Sequence, residues 1–268
     1  MINNLKNKKL VNCTRWIYEH RYCESNSSSI FCFPFAGGNT HSFVNWINFV
    51  PKNYNLLAFQ YPGRQTLINL PLERNLEDLV AQLFREIQPY IKGKKVVFFG
   101  HSLGSLVAFE LAKKLEKSGK VLEGIFVSAC VSPDKVIKER GIHHLSDEQF
   151  LKKIIGYEGT PKDILNDKDL MNYFLPILKA DFCMYETYKF NPNEKLSCPV
   201  YTLGSERDPY APFKEMKNWK ETTINYNHLV SVTGNHFYIN DESSTFTGIF
   251  LELLRHILEK KIQGTCEK

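Results

Sequence analysis

The sequence lacks the features that define several large classes of protein. It contains no run of 18 apolar residues, and no apolar segment follows its polar, basic start, so we expect neither a membrane-spanning helix nor a secretory signal. The seven cysteines are scattered and odd in number, without the paired spacing of zinc or redox sites. No repeat or low-complexity tract divides the chain. These absences predict a cytoplasmic protein with reduced thiols, no bound metal and no membrane contact.

The size and composition are those of a chain that can bury an ample core. Of its 268 residues, 43% are hydrophobic and 24% are charged, and we expect one domain over residues 1–268. The formal net charge of +5 is mild and spread along the chain. It argues against nucleic acid as a partner and favours an acidic one.

Apolar strand patterns alternate with amphipathic helical patterns along most of the chain. This alternation predicts an α/β fold with a mainly parallel central sheet flanked by helices. Between residues 134 and 198 the strands stop, and a helical insertion continues across Pro176, which must kink or begin a helix. Residues 1–14 are expected to form a loose extension. The predicted strands are 15–18 at the sheet edge, 29–33, 55–60, 96–99, 124–130, 199–203 and 229–232, and helices are predicted to begin near residues 40, 76, 103 and 245.

A Gly-x-Ser-x-Gly pattern at residues 100–104 lies between a predicted buried strand and a predicted helix. Gly100 and Gly104 leave room for a sharp turn that lifts Ser102 clear of the sheet. The N–H groups that open the next helix would then meet any negative charge that forms beside Ser102. Such a pattern also occurs by chance around a helix-capping serine, but the strand, turn and helix context is the one a nucleophile requires. We therefore predict that Ser102 is a catalytic nucleophile.

The turn at residues 35–38 follows the strand at 29–33 and precedes a helix. A backbone N–H exposed in such a loop, beside the serine turn, would supply the second donor of an oxyanion hole. We predict that the two donors are the N–H of Leu103 and that of Phe35 or Ala36. A plain connection between strand and helix explains this stretch equally well when it is judged alone.

An acidic residue and a histidine follow two later strands in the order that a Ser-Asp-His triad uses in α/β-hydrolases. Asp208 and His236 occupy these positions, at the carboxyl ends of their predicted strands, where an open parallel sheet collects its functional loops. Some proteins of this fold place the acid after an earlier strand, which here would be Asp134. We favour Asp208 because it follows a clear strand. Four other histidines are interpreted as structural: His101, His143, His144 and His228.

Six motifs of the chain form a recognisable set: Phe33-Pro34-Phe35-Ala36-Gly37-Gly38, Tyr61-Pro62-Gly63-Arg64, the serine pentapeptide, Gly159-Thr160-Pro161, residues 175–182 and Gly234-Asn235-His236-Phe237. Together they resemble the type II thioesterases that accompany bacterial nonribosomal peptide and polyketide synthases. The resemblance implies an α/β-hydrolase fold with a helical lid at 134–198, and a triad of Ser102, Asp208 and His236. It also implies hydrolysis of an acyl thioester on the phosphopantetheine arm of a carrier protein, by a cytoplasmic and monomeric enzyme that needs no cofactor of its own.

The sequence departs from this family at two places, and for this reason it does not predict which surface docks the carrier protein. Family members often carry a second arginine soon after the Pro-Gly-Arg turn, whereas residues 65–69 are uncharged here. Residues 1–14 also make the N-terminus longer than usual. We expect Arg64 itself to lie at the surface or to bond loop carbonyls.

The lid insertion offers apolar and aromatic side chains that could shelter an acyl group, although packing of the lid onto the body explains them equally well. The candidates for substrate contact are Phe150, Tyr157, Phe174 and Met184. A general carboxylesterase or acyl-CoA hydrolase and a chain-releasing cyclase would use the same triad. A non-catalytic binding protein on this fold is the alternative from another class, and an intact triad argues against it.

Overall fold

The computed structural model describes residues 16–136, 141–155 and 168–263, which form a seven-stranded sheet between two helical layers. The strand order is β1-β3-β2-β4-β5-β6-β7. β1 pairs antiparallel with β3, and every other neighbouring pair is parallel. The strands are β1 Ile17–Arg21, β2 Ser28–Phe33, β3 Tyr54–Phe59, β4 Lys95–His101, β5 Gly124–Ser128, β6 Val200–Gly204 and β7 Asn227–Ser231.

Helices cover both faces of the sheet, which explains why its inner strands are continuously apolar rather than alternating. The helices are α1 Leu76–Ile91, α2 Leu103–Lys117, α3 Asp147–Ile155, α4 Lys168–Thr187 and α5 Phe246–Gln263. In β2, Phe31 and Phe33 pack into the core beneath α1 and α2, whereas Ile30 and Cys32 face the core beneath α5 and Trp46. Shorter 3₁₀ segments include Thr40–Asn48 and Phe213–Thr222.

The predicted strands are all present, with ends that shift by a few residues, and the mainly parallel α/β architecture is confirmed. Asn75 caps α1, because its side chain accepts hydrogen bonds from the N–H groups of Glu77 and Asp78. The helix expected near residue 40 is a 3₁₀ helix, which Asn39 caps through the N–H of His41. The sequence pattern located this element, but its tight winding was not predicted.

The insertion between β5 and β6 contains the two helices α3 and α4 in its described part. Pro176 lies inside α4, so the alternative that it begins a helix is wrong. The extension at residues 1–14 and Tyr157 lie outside the described residues. We refer to the inserted helices α3 and α4 as the lid, and that residues 134–198 form a lid insertion in a single domain stays a prediction. No helix among residues 16–136, 141–155 and 168–263 is long and apolar enough to cross a membrane.

Candidate active site

The turn that carries Ser102 has the strained geometry expected of an exposed nucleophile. Ser102 has φ 52° and ψ −122°, a backbone conformation that costs an L-residue free energy and persists only when its surroundings enforce it. A Cβ at Gly100 would lie 2.2 Å from the carbonyl oxygen of Gly104, so no larger residue fits at position 100. The N–H of Ser102 donates to the carbonyl of Ser128 at the end of β5, at 2.8 Å. This bond anchors the turn to the sheet.

The loop after β2 packs directly against the Ser102 turn. A Cβ at Gly104 would lie 2.1 Å from the carbonyl oxygen of Phe33, so the start of α2 and this loop are in backbone contact. Leu103 begins α2, and the N–H groups of a helix's first turn have no partner within the helix. The N–H groups of Phe35 and Ala36 have no hydrogen bond within the part of the chain that the structure describes. The predicted donors therefore lie on adjoining backbone segments, free to donate to a ligand.

His236 and Asp208 form a direct pair at the carboxyl end of the sheet. Their atoms Nδ1 and Oδ2 are 2.7 Å apart, and both side chains are buried. The other oxygen of Asp208, Oδ1, accepts the backbone N–H groups of Tyr210 at 2.8 Å and Ala211 at 3.0 Å. These two bonds fix the carboxylate, and the carboxylate in turn fixes the plane of the imidazole.

The same contacts keep Asp208 ionised. Burial alone would raise the pKa of this carboxyl, but the His236 ring and the N–H groups of Ala211 and Tyr210 outweigh it and hold the pKa below its usual value. The alternative acid, Asp134, instead contacts Asn218 and Lys135 and is partly exposed. The structure thus pairs the histidine with Asp208 and leaves Asp134 without a role in the site.

His101 packs behind the site in a polar cluster. Its Nε2 lies 2.9 Å from the carbonyl oxygen of His236, and its Nδ1 lies 2.8 Å from Oγ of Ser128. A carbonyl only accepts, so Nε2 carries the proton. The Ser128 hydroxyl is also 2.6 Å from that of Tyr238. Burial, with a smaller contribution from the neighbouring His236 ring, lowers the pKa of His101 to about 3. The His101 ring is therefore neutral, and its Nε2–H supports the backbone of His236.

A cavity of about 400 Å³ brings these groups together beneath the lid. Ser102, His236 and the predicted donors Phe35, Ala36 and Leu103 all line it. None of its described lining residues is Asp, Glu, Lys or Arg, so the space suits an uncharged, largely apolar group. The lid and nearby loops contribute Ile154, Phe174, Leu178, Phe182, Tyr185, Tyr210 and Phe237.

The lid residues predicted to contact substrate are only partly found there. Phe174 lines the cavity. Phe150 does not, because it is fully buried inside the lid, edge-on to Phe182. Met184 packs into the core beneath α2 instead, and Tyr157 lies outside the described residues. Leu178 also lines the cavity. It lies in the motif at residues 175–182 but was not predicted to contact substrate.

Arg64 is buried, so the expectation that it lies at the surface is wrong. The alternative expectation, that it bonds loop carbonyls, is confirmed, because it donates to the carbonyls of Gly38 and Pro62. It also forms an ion pair with Asp181 of the lid helix α4, at 2.7 Å. No sequence pattern indicated this pair, because its members are 117 residues apart.

Comparisons with known proteins agree with this architecture. Residues 28–258 match the family model described as "Thioesterase domain". The chain is 35% identical to thioesterase PikA5 of Streptomyces venezuelae, over 85% of this chain and 81% of that protein. It is 30% identical to the gramicidin S biosynthesis protein GrsT of Aneurinibacillus migulanus, over 92% and 97% of the two chains.

A solved structure is similar over nearly its whole length. YbtT, a type II thioesterase from the yersiniabactin NRPS/PKS biosynthetic pathway, superimposes with a TM-score of 0.81 at 27% identity, covering 90% of this chain and 98% of its own. The resemblance to type II thioesterases, the α/β-hydrolase fold and the prediction of a thioester-hydrolysing enzyme are confirmed. The chain therefore belongs to the thioesterase family and is a hydrolase that acts on thioesters.

Proposed function

We propose that this thioesterase removes acyl groups from the phosphopantetheine arm of carrier proteins in nonribosomal peptide or polyketide synthesis, with Ser102, His236 and Asp208 as its catalytic triad. The observation that carries the proposal is the His236–Asp208 pair, 2.7 Å long, beside the strained Ser102 turn in one cavity. The relatives support the substrate class, since YbtT belongs to an NRPS/PKS pathway and GrsT to gramicidin S biosynthesis.

Acylation begins when Oγ of Ser102 attacks the thioester carbonyl and Nε2 of His236 takes the hydroxyl proton. The carbon–oxygen bond forms, and the carbonyl π electrons move to oxygen, which the N–H groups of Leu103 and of Phe35 or Ala36 stabilise. When the carbonyl re-forms, the carbon–sulfur bond breaks, and the pantetheine sulfur leaves with the proton from His236. A thiol with a pKa of about 8.5 is a better leaving group than an alcohol, so thioesters demand less help than oxyesters.

Deacylation repeats the same proton transfers with water. His236 takes a proton from a water molecule, whose oxygen attacks the acyl-Ser102 ester at the same oxyanion hole. Collapse returns the proton to Oγ and releases the carboxylic acid. Throughout, Asp208 keeps the proton on Nδ1 of His236, which leaves Nε2 free to accept from Ser102 or water and stabilises the imidazolium that forms.

The cellular setting follows from the same proposal. The five cysteines in the described part of the chain are all free thiols, which accords with the reducing conditions of the cytoplasm, where we place the enzyme. A monomeric state stays a prediction.

The test compares matched acyl groups on three leaving groups. Hydrolysis of acetyl- and hexanoyl-carrier protein is measured against the same acyl groups on CoA and on p-nitrophenol, for wild type, Ser102→Ala and Ser42→Ala. Ser42 also lines the cavity but has no role in the proposed steps. We expect the highest kcat/KM on the carrier-bound thioesters, a loss of at least about 10³-fold in Ser102→Ala, and turnover within about twofold of wild type in Ser42→Ala.

Other results would point to other activities. Fast p-nitrophenyl ester cleavage with slow carrier-protein turnover would identify a general carboxylesterase. Equal rates on CoA and carrier-bound acyl groups would identify an acyl-CoA hydrolase. Carrier-protein hydrolysis that survives in Ser102→Ala would overturn the assigned nucleophile.

A further inference from the structure

A buried ion pair ties the lid helix α4 to the loop at residues 35–38. The two terminal guanidinium nitrogens of Arg64, Nη2 and Nη1, donate to Oδ1 and Oδ2 of Asp181 at 2.7 and 2.8 Å. Nη1 also donates to the carbonyl of Gly38 at 3.0 Å. The same Oδ2 of Asp181 accepts the backbone N–H of Gly37 at 2.7 Å. Arg64 and Asp181 therefore hold the loop by one N–H and one carbonyl of neighbouring residues.

This loop carries the oxyanion donors of the proposed function, so its position matters to within a fraction of an ångström. The N–H of Gly37 is already bonded to Asp181, which leaves Phe35 and Ala36 as the free donors of the loop. Gly37 has φ +75°, and a Cβ there would lie 2.5 Å from Leu178 of α4. The lid helix thus touches the loop by packing as well as by hydrogen bonding.

The negative charge of Asp181 lies near the oxyanion donors, and Arg64 compensates it. Asp181 is fully buried, and its carboxylate bonds the residue next to Ala36, close to where negative charge develops on the substrate oxygen. A lone carboxylate there would oppose the oxyanion, because charges interact strongly away from water. The bidentate guanidinium neutralises it while leaving Oδ2 able to accept from Gly37.

We infer that Arg64 and Asp181 are positioning residues for the oxyanion hole, through which the lid helix α4 sets the geometry of the donors at Phe35 and Ala36. Asp181 supplies the acceptor that fixes the loop, and Arg64 removes the charge that this acceptor would otherwise place beside the oxyanion. The inference rests on the proposed function, because it requires that an oxyanion form at Ser102.

Two inhibitors with the same acyl chain separate this role from a purely structural one. In the first, a CF2–CO–CH2 unit joins the acyl chain to the pantetheine sulfur, and this activated ketone forms an adduct with Ser102 that places an oxyanion in the hole. In the second, an amide replaces the thioester, and it binds without being attacked. In Arg64→Met we expect the ketone to bind about 10- to 100-fold more weakly and the amide to change by less than about threefold. The value of kcat should fall with the ketone affinity, while KM stays within about threefold of wild type.

A second substitution tests the charge argument directly. In Arg64→Met/Asp181→Asn the amide oxygen still accepts the N–H of Gly37 but carries no charge, so we expect most of the ketone affinity to return. The control is Lys113→Met, which removes another buried cation, away from the cavity, and its two ion pairs with the partly exposed Glu110 and Glu194. It should lower the free energy of unfolding without changing the ratio of the two affinities.

The inference would be overturned if Arg64→Met left the ratio of the ketone and amide affinities unchanged, or if the ketone affinity did not recover in the double variant. If Arg64→Met does not fold, Arg64→Lys takes its place, because lysine keeps the charge but loses the paired N–H donors. The inference then requires that Arg64→Lys bind the ketone at least about threefold more weakly than wild type. Failure of the proposed function would look different, because the ketone would then bind wild type and Ser102→Ala equally well.

Discussion

The backbone N–H groups of Tyr210 and Ala211 occupy one oxygen of Asp208, so that its other oxygen is directed at Nδ1 of His236, 2.7 Å away. The carboxylate can serve only as an acceptor in this arrangement. The proton of the neutral imidazole is therefore held on Nδ1, and the unprotonated Nε2 is the nitrogen left to act as a base.

The substitution Asp208→Asn should reverse this tautomer. The amide oxygen of the new side chain would accept the N–H groups of Tyr210 and Ala211, and its NH₂ group would then face Nδ1 of His236 and donate to it. Nε2 would carry the proton and could not accept one from Ser102. We expect kcat to fall by about 10²- to 10⁴-fold with little change in KM, measured by release of carrier-protein thiol.

The matched control for that change is Asp134→Asn, which alters the rival acid in the same way. Asp134 contacts Asn218 and Lys135 at the surface, so we expect activity within about twofold of wild type. If Asp134→Asn were the more damaging substitution, the assignment of the acid would be wrong.

The close contact between α2 and the loop after β2 predicts a large difference between two helical glycines. In Gly104→Ala the new Cβ would overlap the carbonyl of Phe33, and overpacking of this kind costs about 1–3 kcal/mol. In Gly248→Ala nothing lies within 4 Å of the new Cβ, and the substitution should stabilise α5 by about 0.5–1 kcal/mol. Urea unfolding measures both, and equal effects would contradict the contact.

The buried His101 predicts a pH dependence of stability. Its pKa of about 3 in the folded protein is below the value of about 6.5 in the unfolded chain, so between these values the unfolded state binds more protons. The free energy of unfolding should therefore fall as the pH falls from 6.5 towards 3, with a contribution from His101 of up to about 1.4 kcal/mol per pH unit.

Urea unfolding of wild type and His101→Gln at several pH values from about 6.5 to about 5 isolates this contribution. The variant has no imidazole at this position, so its stability should decline less steeply with falling pH than that of wild type, whatever its stability at the upper end of this range. Parallel slopes for the two proteins would show that His101 is protonated in the fold as easily as in the unfolded chain.

The two lid phenylalanines, Phe174 and Phe150, should differ in what they control. Phe174 lines the cavity, so Phe174→Ala enlarges the acyl site and should raise the ratio of kcat/KM for hexanoyl over acetyl carrier protein by about tenfold. Phe150 is buried within the lid, so Phe150→Ala should cost about 3–5 kcal/mol of stability and leave this ratio unchanged. A change of selectivity in Phe150→Ala alone would reverse the two assignments.

Local sequence patterns were enough to predict the candidate site residues that follow the ends of strands. The Ser102 turn depends on a strand, two glycines and a helix that are contiguous in the sequence, and Asp208 and His236 each follow a strand. Because parallel strands end at one edge of a sheet, chain order alone places these three residues near one another.

The lid contacts could not be predicted in this way, since they depend on how separate helices pack. Phe150 and Phe174 have similar local patterns, yet only the packing of α3 against α4 decides which of them turns to the cavity. The pair of Arg64 with Asp181 joins a turn of the body to a helix of the lid, and no spacing in the sequence links the two. Long-range ion pairs of this kind are apparent only in the folded chain.

The most direct test of the account is to find the acyl group on the enzyme. Wild type is mixed with hexanoyl-carrier protein, quenched in acid within milliseconds and analysed by intact-mass and peptide mass spectrometry. We expect one hexanoyl group per chain on the peptide that contains Ser102, formed at least as fast as kcat, and none in Ser102→Ala. Steady hydrolysis without an acyl adduct, or an adduct on any other residue, would contradict the proposed mechanism.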